Sequence, residues 1–321
     1  MTRTHNQPGY FDTKKPSFSS CCRLALTALI LTVLFVFQSG NADAQPPRVV
    51  LSSDGTPVSY EVFGTGEPTL IFVHGWSCDA RYFREQVPVF SKKHRVVVLD
   101  LAGHGHSGLS RKSYTMASFG QDVLAVADAV NAKSAILVGH SMGGSVIAEA
   151  ARLMPGRVVG LIGVDTLENV EYPMTRAMMD EMTLPLKADF PTGCRNFVST
   201  MFKPDSDSTI RDWILSDMAA APPHVAMSAM EHMLDQYVTG DIARIFKYIP
   251  VPVVTVNADL WPVDHEANRR HMRSFEAVVI KGTDHFLMLT RPAEFNRELD
   301  RAISRLVQNA KDGVPVRGKT P

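Results

Sequence analysis

The most constraining feature of the sequence is a serine flanked by glycines, in the segment Gly139-His140-Ser141-Met142-Gly143-Gly144. An apolar run typical of a strand (134–138) precedes it, and a helical pattern (145–153) follows it. A sharp turn from strand to helix strains its central residue, and glycine two positions before and after that residue avoids a steric clash. The pattern therefore predicts a serine hydroxyl presented at the end of a strand, with a helix N-terminus beneath it.

The rest of the chain alternates short β-branched runs with helical patterns. The strand-like runs are 48–52, 57–63, 69–73, 95–99, 135–138, 158–164, 251–256 and 277–280. The first of these strands are predicted to form an antiparallel ribbon. Helical stretches such as 117–130 and 144–153, and a final amphipathic helix over 293–307, separate or follow the others. This alternation predicts an α/β fold, a mainly parallel sheet with helices on both faces.

Residues 166–236 break the alternation, because they contain helical segments and prolines but no convincing strand. We interpret them as an inserted helical cap on a core formed by residues 45–165 and 237–308. Nine of the 15 methionines lie in this stretch: Met174, Met178, Met179, Met182, Met201, Met218, Met227, Met230 and Met233. Methionine side chains can line an adaptable apolar pocket, although packing inside the cap is the simpler role for any one of them. The Gly- and Pro-containing tail, 309–321, is predicted to be disordered.

The N-terminus has the pattern of a targeting segment. An uncharged apolar run, 24–37, follows Lys14, Lys15 and Arg23 and precedes Ala42-Asp43-Ala44. This pattern predicts a signal peptide over 1–44, cleaved after Ala44, and therefore an exported protein, periplasmic or secreted. The alternative is an uncleaved membrane anchor, because the polar segment before the apolar run is long. Cys78 and Cys194 remain after cleavage, either as a disulfide or as two free buried thiols.

Charge and composition exclude several function classes. The 33 basic and 33 acidic residues leave a formal net charge of +0, so there is no basic footprint for a nucleic-acid partner. A hydrophobic content of 45% is that of an ordinary globular protein and excludes a disordered, collagen-like or coiled-coil chain. No phosphate-binding glycine motif is present, and His104 and His106 lack a third ligand at a suitable spacing. We therefore expect no metal and no organic cofactor.

A serine nucleophile needs a base, and His285 is the candidate. It stands in Gly282-Thr283-Asp284-His285-Phe286, just after the last predicted strand, which places it at the same end of the sheet as Ser141. Together with His74-Gly75-Trp76 and the loop 100–108, these motifs make residues 48–308 similar to the α/β-hydrolase-fold superfamily, in its capped serine esterase and lipase-like branch. The resemblance implies that the backbone N–H groups of Trp76 and Met142 form an oxyanion hole.

The acid that would orient His285 departs from the family pattern. The family usually places it in a turn after the strand at 251–256, where this chain has Trp261, with Asp259 two residues early and Asp264 three late. Some haloalkane dehalogenases of the same fold take the acid from the end of the preceding strand, which here is Asp165. Asp165 is our first candidate, Asp259 the second, and Asp264 or no acid remains open. Dehalogenation itself is disfavoured, because that chemistry uses a carboxylate nucleophile and position 141 is serine.

The sequence thus predicts an exported serine hydrolase that cleaves a carboxylic ester, or a lactone or related acyl bond, through an acyl-enzyme intermediate. The cap methionines, with Trp76, Trp213 and Trp261, suggest a small-molecule, ester-like substrate with a mostly apolar acyl or alcohol group. C–C bond hydrolysis, aminopeptidase action and cofactor-free perhydrolysis use the same machinery and stay open as alternatives. A non-catalytic ligand-binding protein on this scaffold is the alternative of another class, and a membrane contact is expected only if the N-terminal run is uncleaved.

Overall fold

An eight-stranded sheet forms the centre of the described part of the protein. The structure is a computed structural model that describes residues 1–2 and 47–312. The predicted signal peptide with its cleavage site, and residues 313–321 of the predicted tail, lie outside the described residues. The strands are β1 (Arg48–Leu51), β2 (Pro57–Phe63), β3 (Thr69–Val73), β4 (Val96–Leu99), β5 (Ala135–His140), β6 (Val158–Val164), β7 (Val253–Ala258) and β8 (Phe275–Ile280).

The strand order is β1-β2-β4-β3-β5-β6-β7-β8, and β2 alone runs in the opposite direction to the other seven strands. The sheet is therefore mainly parallel, and the predicted fold class is confirmed. The predicted ribbon is wrong in one respect: β1 and β2 pair antiparallel, but β3 lies beyond β4 and pairs parallel with β4 and β5. All five residues of β3 are buried, which a strand in the interior of a parallel sheet requires and an exposed ribbon would not provide.

Helices flank this sheet. They are α1 (Val87–Phe90), α2 (Met116–Ala129), α3 (Met142–Leu153), α4 (Arg176–Ala188), α5 (Phe190–Ser199), α6 (Ser208–Ala219), α7 (Pro223–Thr239), α8 (Asp241–Ile245), α9 (His265–His271), α10 (Leu287–Thr290) and α11 (Pro292–Lys311). The amphipathic α11 packs against β6, β7 and β8, and its end extends into the predicted tail. Among the described residues, no helix combines the length and the apolar character that a membrane span needs.

The stretch interpreted as a cap contains α4 to α7 and, within the described residues, no strand. These helices pack on one another, α4 against α5 and α7, and α5 against α6. The last of them extends past the predicted boundary at residue 236 and ends at Thr239, where Gly240 takes a positive φ of 74°. Cys78 and Cys194 are both buried and free, so the structure shows two thiols and no disulfide between them.

A buried charge network ties the β1–β2 hairpin to the core. The Arg111 guanidinium donates to Asp122 at 2.6 Å and to Asp54 at 2.7 Å, and the Ser52 hydroxyl donates to Asp122 at 2.6 Å. Asp122 lies on α2, and its second oxygen accepts from the Ala102 N–H in the loop after β4. The side chains of Arg111 and Asp122 are 4% and 0% exposed, so each charge depends on the other for compensation.

We predict that Arg111→Met lowers the free energy of unfolding by about 3–5 kcal/mol, because it leaves the Asp122 carboxylate buried without its counter-ion. The double variant Arg111→Met/Asp122→Leu is expected to recover much of this loss. Arg301→Met is the matched control: its pair with Glu298 is exposed on α11, and its removal is expected to cost less than about 1 kcal/mol. Urea denaturation followed by circular dichroism measures all three, and equal losses for Arg111→Met and Arg301→Met would contradict the prediction.

Candidate active site

Ser141 occupies a strained turn between β5 and α3. Its backbone angles are φ 52° and ψ −120°, a region that residues with a side chain rarely adopt. The turn is tight, because a Cβ added at Gly139 would lie 2.3 Å from the Gly143 carbonyl oxygen. Hydrogen bonds hold the strained residue: its N–H donates to Val164 O at 3.0 Å, and its carbonyl accepts from the Thr166 hydroxyl at 2.8 Å. The strand-to-helix turn expected around Ser141 is present.

The loop after β3 lies directly against Ser141, since a Cβ added at Gly75 would come within 3.1 Å of the Ser141 Cβ. The buried imidazole of His74 braces this loop: Nε2 accepts from the Leu101 N–H at 3.0 Å, so Nδ1 carries the proton that is donated to Gly75 O at 2.8 Å. Burial lowers the pKa of His74, which keeps it neutral. Trp76, which follows, lines the same cavity as Ser141.

Met142 is the first residue of α3, and the first N–H groups of a helix have no acceptor within the helix. Its N–H is therefore available beside Ser141, where the helix N-terminus also contributes partial positive charge. The Trp76 side chain is anchored elsewhere: its indole N–H donates to the Ala226 carbonyl of α7 at 2.7 Å. This bond ties the loop after β3 to the cap.

His285 lies in the loop after β8 and is bound through its ring to Asp165. The Asp165 Oδ2 and His285 Nδ1 atoms are 2.6 Å apart, and the two side chains are almost wholly buried. Asp165 follows β6 directly, and its other carboxylate oxygen accepts from the Ala258 N–H at 2.7 Å. The His285 N–H donates to the carbonyl of Met201 in the cap at 3.1 Å. The structure thus brings Asp165 and His285 together, and His285 shares a cavity with Ser141.

A second histidine, His140, packs against His285 and donates a hydrogen bond to its backbone. The His140 ring lies 4.7 Å from the His285 ring, and its Nε2–H donates to the His285 carbonyl at 3.0 Å. Burial, reinforced by the charge of His285, lowers the pKa of His140 well below its usual range, so it stays neutral. The sequence shows that His140 precedes Ser141. It does not predict that His140 contacts the loop after β8, because that contact forms only in the folded protein.

The other two aspartates do not contact His285. Asp259 pairs with Lys203 and accepts from the Gly282 N–H at 3.1 Å; the Lys203 ammonium, followed by that N–H, lowers its pKa. Asp264 caps the N-terminus of α9, where it accepts from the Ala267 N–H at 2.9 Å. Neither carboxylate is therefore placed to hold the imidazole.

The cavity above Ser141 is small, about 60 Å³, and mostly apolar. The cap supplies much of its lining, including Phe197 and four of the methionines singled out in the sequence, Met201, Met218, Met230 and Met233. We name this space the catalytic cavity. Its apolar lining excludes water and favours an apolar group next to the serine.

A second cavity of about 730 Å³ lies beside it and is lined by Trp261, predicted as a substrate contact. The edge of the Trp261 indole meets the His285 ring at 5.5 Å between centroids. Glu168 also lines this cavity, and burial, with the charge of Asp165 second, raises its pKa to about 7. Sequence reasoning missed Glu168, although a carboxylate three residues after a candidate acid is a signal that could have found it. We name this space the Trp261 cavity.

Among the described residues, no group of three or more His, Cys, Asp or Glu side chains is placed to hold a metal ion. His104 packs its ring against that of His74 at 5.0 Å, and burial lowers its pKa to about 3. His106 lies 3.3 Å from Asp100 through Nδ1. The two histidines therefore serve the turn in which they lie.

Known proteins show the same fold and related sequences. The chain is 28% identical to a non-heme chloroperoxidase of Streptomyces lividans over 78% of this chain and 97% of that protein. It is 40% identical to a pimeloyl-[acyl-carrier protein] methyl ester esterase of Edwardsiella ictaluri, over 32% of this chain and 37% of that one. Several other curated relatives are also matched over less than half of their length.

An esterase of Exiguobacterium antarcticum superposes with a TM-score of 0.71 at 20% identity, covering 81% of this chain and 99% of that one. The family model described as the alpha/beta hydrolase family matches residues 70–298, which span β3 to α11 and include Ser141, Asp165 and His285. The chain therefore belongs to the α/β hydrolase family.

Proposed function

We propose that the protein is a serine hydrolase that cleaves a carboxylic ester, or a lactone or related acyl bond, through an acyl-enzyme intermediate. The observation that carries the proposal is the 2.6 Å bond between Asp165 and His285 Nδ1, beside the cavity that His285 shares with Ser141. A carboxylate on Nδ1 leaves Nε2 free to take the serine proton. Ser141, His285 and Asp165 are then nucleophile, base and orienting acid.

In the proposed first step, the Ser141 Oγ attacks the ester carbonyl while His285 takes its proton. The tetrahedral oxyanion is bound by the N–H groups of Trp76 and Met142, with the helix N-terminus adding positive charge. His285 then returns the proton to the leaving alcohol, which leaves an acyl group on Ser141. Water activated by the same imidazole attacks this acyl-enzyme, so that the acid is released and the serine is restored.

Sequence similarity to known proteins supports ester hydrolysis and also favours a second candidate function, cofactor-free perhydrolysis. The pimeloyl ester esterase that the chain resembles acts on a carboxylic ester, and the chloroperoxidase relative is matched over almost its whole length. In cofactor-free perhydrolysis, hydrogen peroxide in place of water would attack the acyl-enzyme and release a peracid. The catalytic groups would be the same, and the nucleophile that reaches the acyl-enzyme decides between the two.

We also propose that the enzyme is exported, periplasmic or secreted, and that its first 44 residues are removed. The support is the apolar run at 24–37 between basic residues and Ala42-Asp43-Ala44. An uncleaved run would instead tether the enzyme to the membrane.

The protein is predicted to hydrolyse p-nitrophenyl acetate faster than the decanoate, because the catalytic cavity of about 60 Å³ suits a short acyl group. Ser141→Ala is expected to lower kcat/KM by about 10⁴-fold or more, because the nucleophile is lost. Initial rates across the acetate-to-decanoate series measure both, and repeating them with added hydrogen peroxide while assaying peracid tests the second candidate. A wild-type protein that hydrolyses no ester and resists fluorophosphonate labelling would contradict the proposal and favour a non-catalytic binding protein.

The two candidate acids are expected to behave very differently. Asp165→Asn should lower kcat by about 10³–10⁴-fold, because the amide cannot hold the productive tautomer of His285, while its Oδ1 keeps the bond to the Ala258 N–H. Asp259→Asn removes only a surface pair with Lys203 and should change kcat by less than about twofold. Steady-state kinetics on p-nitrophenyl acetate compares them, and a steep loss in Asp259→Asn alone would reverse the assignment.

Export predicts a defined mature chain. Expression of the full-length protein in a bacterium with a periplasm should yield, in the periplasmic fraction, a chain that begins at Gln45, because the small residues at 42 and 44 suit signal peptidase. Intact mass spectrometry measures the N-terminus. An uncleaved chain found in the membrane fraction would support the anchor instead.

A further inference from the structure

The Trp261 cavity is large enough to hold a bulky substrate group, whereas the catalytic cavity suits only a short acyl group. Its volume of about 730 Å³ lies within the range of roughly 300–1,000 Å³ that is usual for small-molecule sites. The catalytic cavity, about 60 Å³, has less than a tenth of that volume. A substrate with more than a short acyl group must therefore place its larger portion elsewhere, and the neighbouring cavity offers the space.

The Trp261 cavity adjoins the His285 imidazole through one shared neighbour, Trp261. Trp261 belongs both to its lining and to the surroundings of His285, whose ring it meets edge-on. Glu168 lies close enough to Asp165 and His285 to interact with both electrostatically. Because His285 must protonate the leaving alcohol, the alcohol has to lie next to that imidazole. The cavity that adjoins this imidazole through Trp261 therefore offers space for the alcohol portion of the ester.

The lining is aromatic and acidic. Tyr172, Tyr237 and Trp261 supply aromatic rings, and Glu168, Asp264 and Glu266 supply carboxyl groups, whereas the residues that line the cavity include no lysine or arginine. Aromatic rings attract organic cations through their π-electrons, most strongly where water is excluded. The nearby Arg270 interacts with Asp264 and Glu266, but it is paired with Glu171. Glu168 does not take part in the ion pair between Arg270 and Glu171.

Glu168 is the carboxyl group with capacity for a ligand. Within the described residues it receives a long hydrogen bond of 3.3 Å from the Asn257 amide, together with its own backbone N–H. A carboxylate has about four acceptor positions, so acceptor positions of this one remain open to a ligand. Burial and the neighbouring charge of Asp165 raise its pKa, and a cation in the cavity would offset both effects.

We propose that the Trp261 cavity binds a positively charged alcohol portion of the substrate, an alkylammonium group placed among the aromatic rings of Tyr172, Tyr237 and Trp261 with Glu168 as its counter-ion. The enzyme is then selective for esters of amino alcohols with short acids. The predicted selectivity for these esters rests on the proposed function, ester hydrolysis. Binding of the free alcohol in the cavity does not require Ser141 and can be tested separately.

Binding is tested with full-length Ser141→Ala protein and two isosteric alcohols, choline and 3,3-dimethylbutan-1-ol, by isothermal titration calorimetry. Choline is expected to bind about tenfold more tightly, because only it carries the charge. Equal or weaker binding of choline would overturn the proposal. This comparison decides on the cavity even if the protein hydrolyses no ester, in which case only the proposed function has failed.

Selectivity is tested with acetylthiocholine and its neutral isostere S-(3,3-dimethylbutyl) thioacetate. We expect the wild-type kcat/KM to favour the cationic substrate about tenfold, and Glu168→Gln to bring this ratio close to one. The ratio within one variant cancels any general loss of activity. Glu181→Gln, the same change at an exposed position of α4, is the matched control and should keep the wild-type ratio.

A Glu168→Gln protein that retains the wild-type ratio would overturn the role of Glu168. If this variant does not fold, Tyr172→Leu provides the second test, because Tyr172 lies at the exposed rim of the cavity with 44% of its surface accessible. It should lower the preference for the cation and leave the protein folded. An unchanged ratio in Tyr172→Leu would contradict the aromatic part of the proposal.

Discussion

The hydrogen bond between Asp165 and His285 joins the ends of three strands, and the proposed chemistry depends on it. Asp165 follows β6, its second oxygen accepts from the N–H of Ala258 at the end of β7, and His285 follows β8. Because β6, β7 and β8 are parallel neighbours, their carboxyl ends meet at one edge of the sheet, as in other open α/β sheets. Loss of that register would separate the proposed base from its acid.

The helices between β6 and β7 complete the site as well as covering it. Ala226 accepts from the Trp76 indole, so that α7 is bound to the loop proposed to hold the oxyanion. Met201 accepts from the backbone of His285 and also lines the catalytic cavity. The same segment thus supplies apolar lining and fixes both sides of the serine, and substitutions that loosen its packing would act on positioning before they acted on the chemical groups.

The proposed reaction and the proposed binding of the alcohol portion take place in two different cavities. The groups proposed to act on the carbonyl surround a small apolar cavity, where exclusion of water strengthens their hydrogen bonds. The larger cavity has charged and aromatic side chains and an exposed rim. Trp261 lies between the two and contacts the catalytic imidazole of the proposed mechanism. In this family, where one fold carries many activities, such a neighbouring cavity is where differences in specificity are expected to arise.

Local sequence patterns were sufficient to predict the turn that carries Ser141 and the position of His285. The strand, turn and helix around Ser141 are encoded by adjacent residues, and His285 lies in the short loop after its strand, so both could be assigned from the sequence. The position of β3 beyond β4 and the Trp261 cavity with Glu168 could not be assigned in this way. For the acid, the sequence ranked Asp165 ahead of Asp259 and Asp264 but left all three open. These features and the choice of acid each depend on which strand ends and loops lie side by side, over separations such as the 120 residues between Asp165 and His285. Hydrophobic periodicity predicts a residue's element and face, whereas only the packed tertiary structure decides its neighbours.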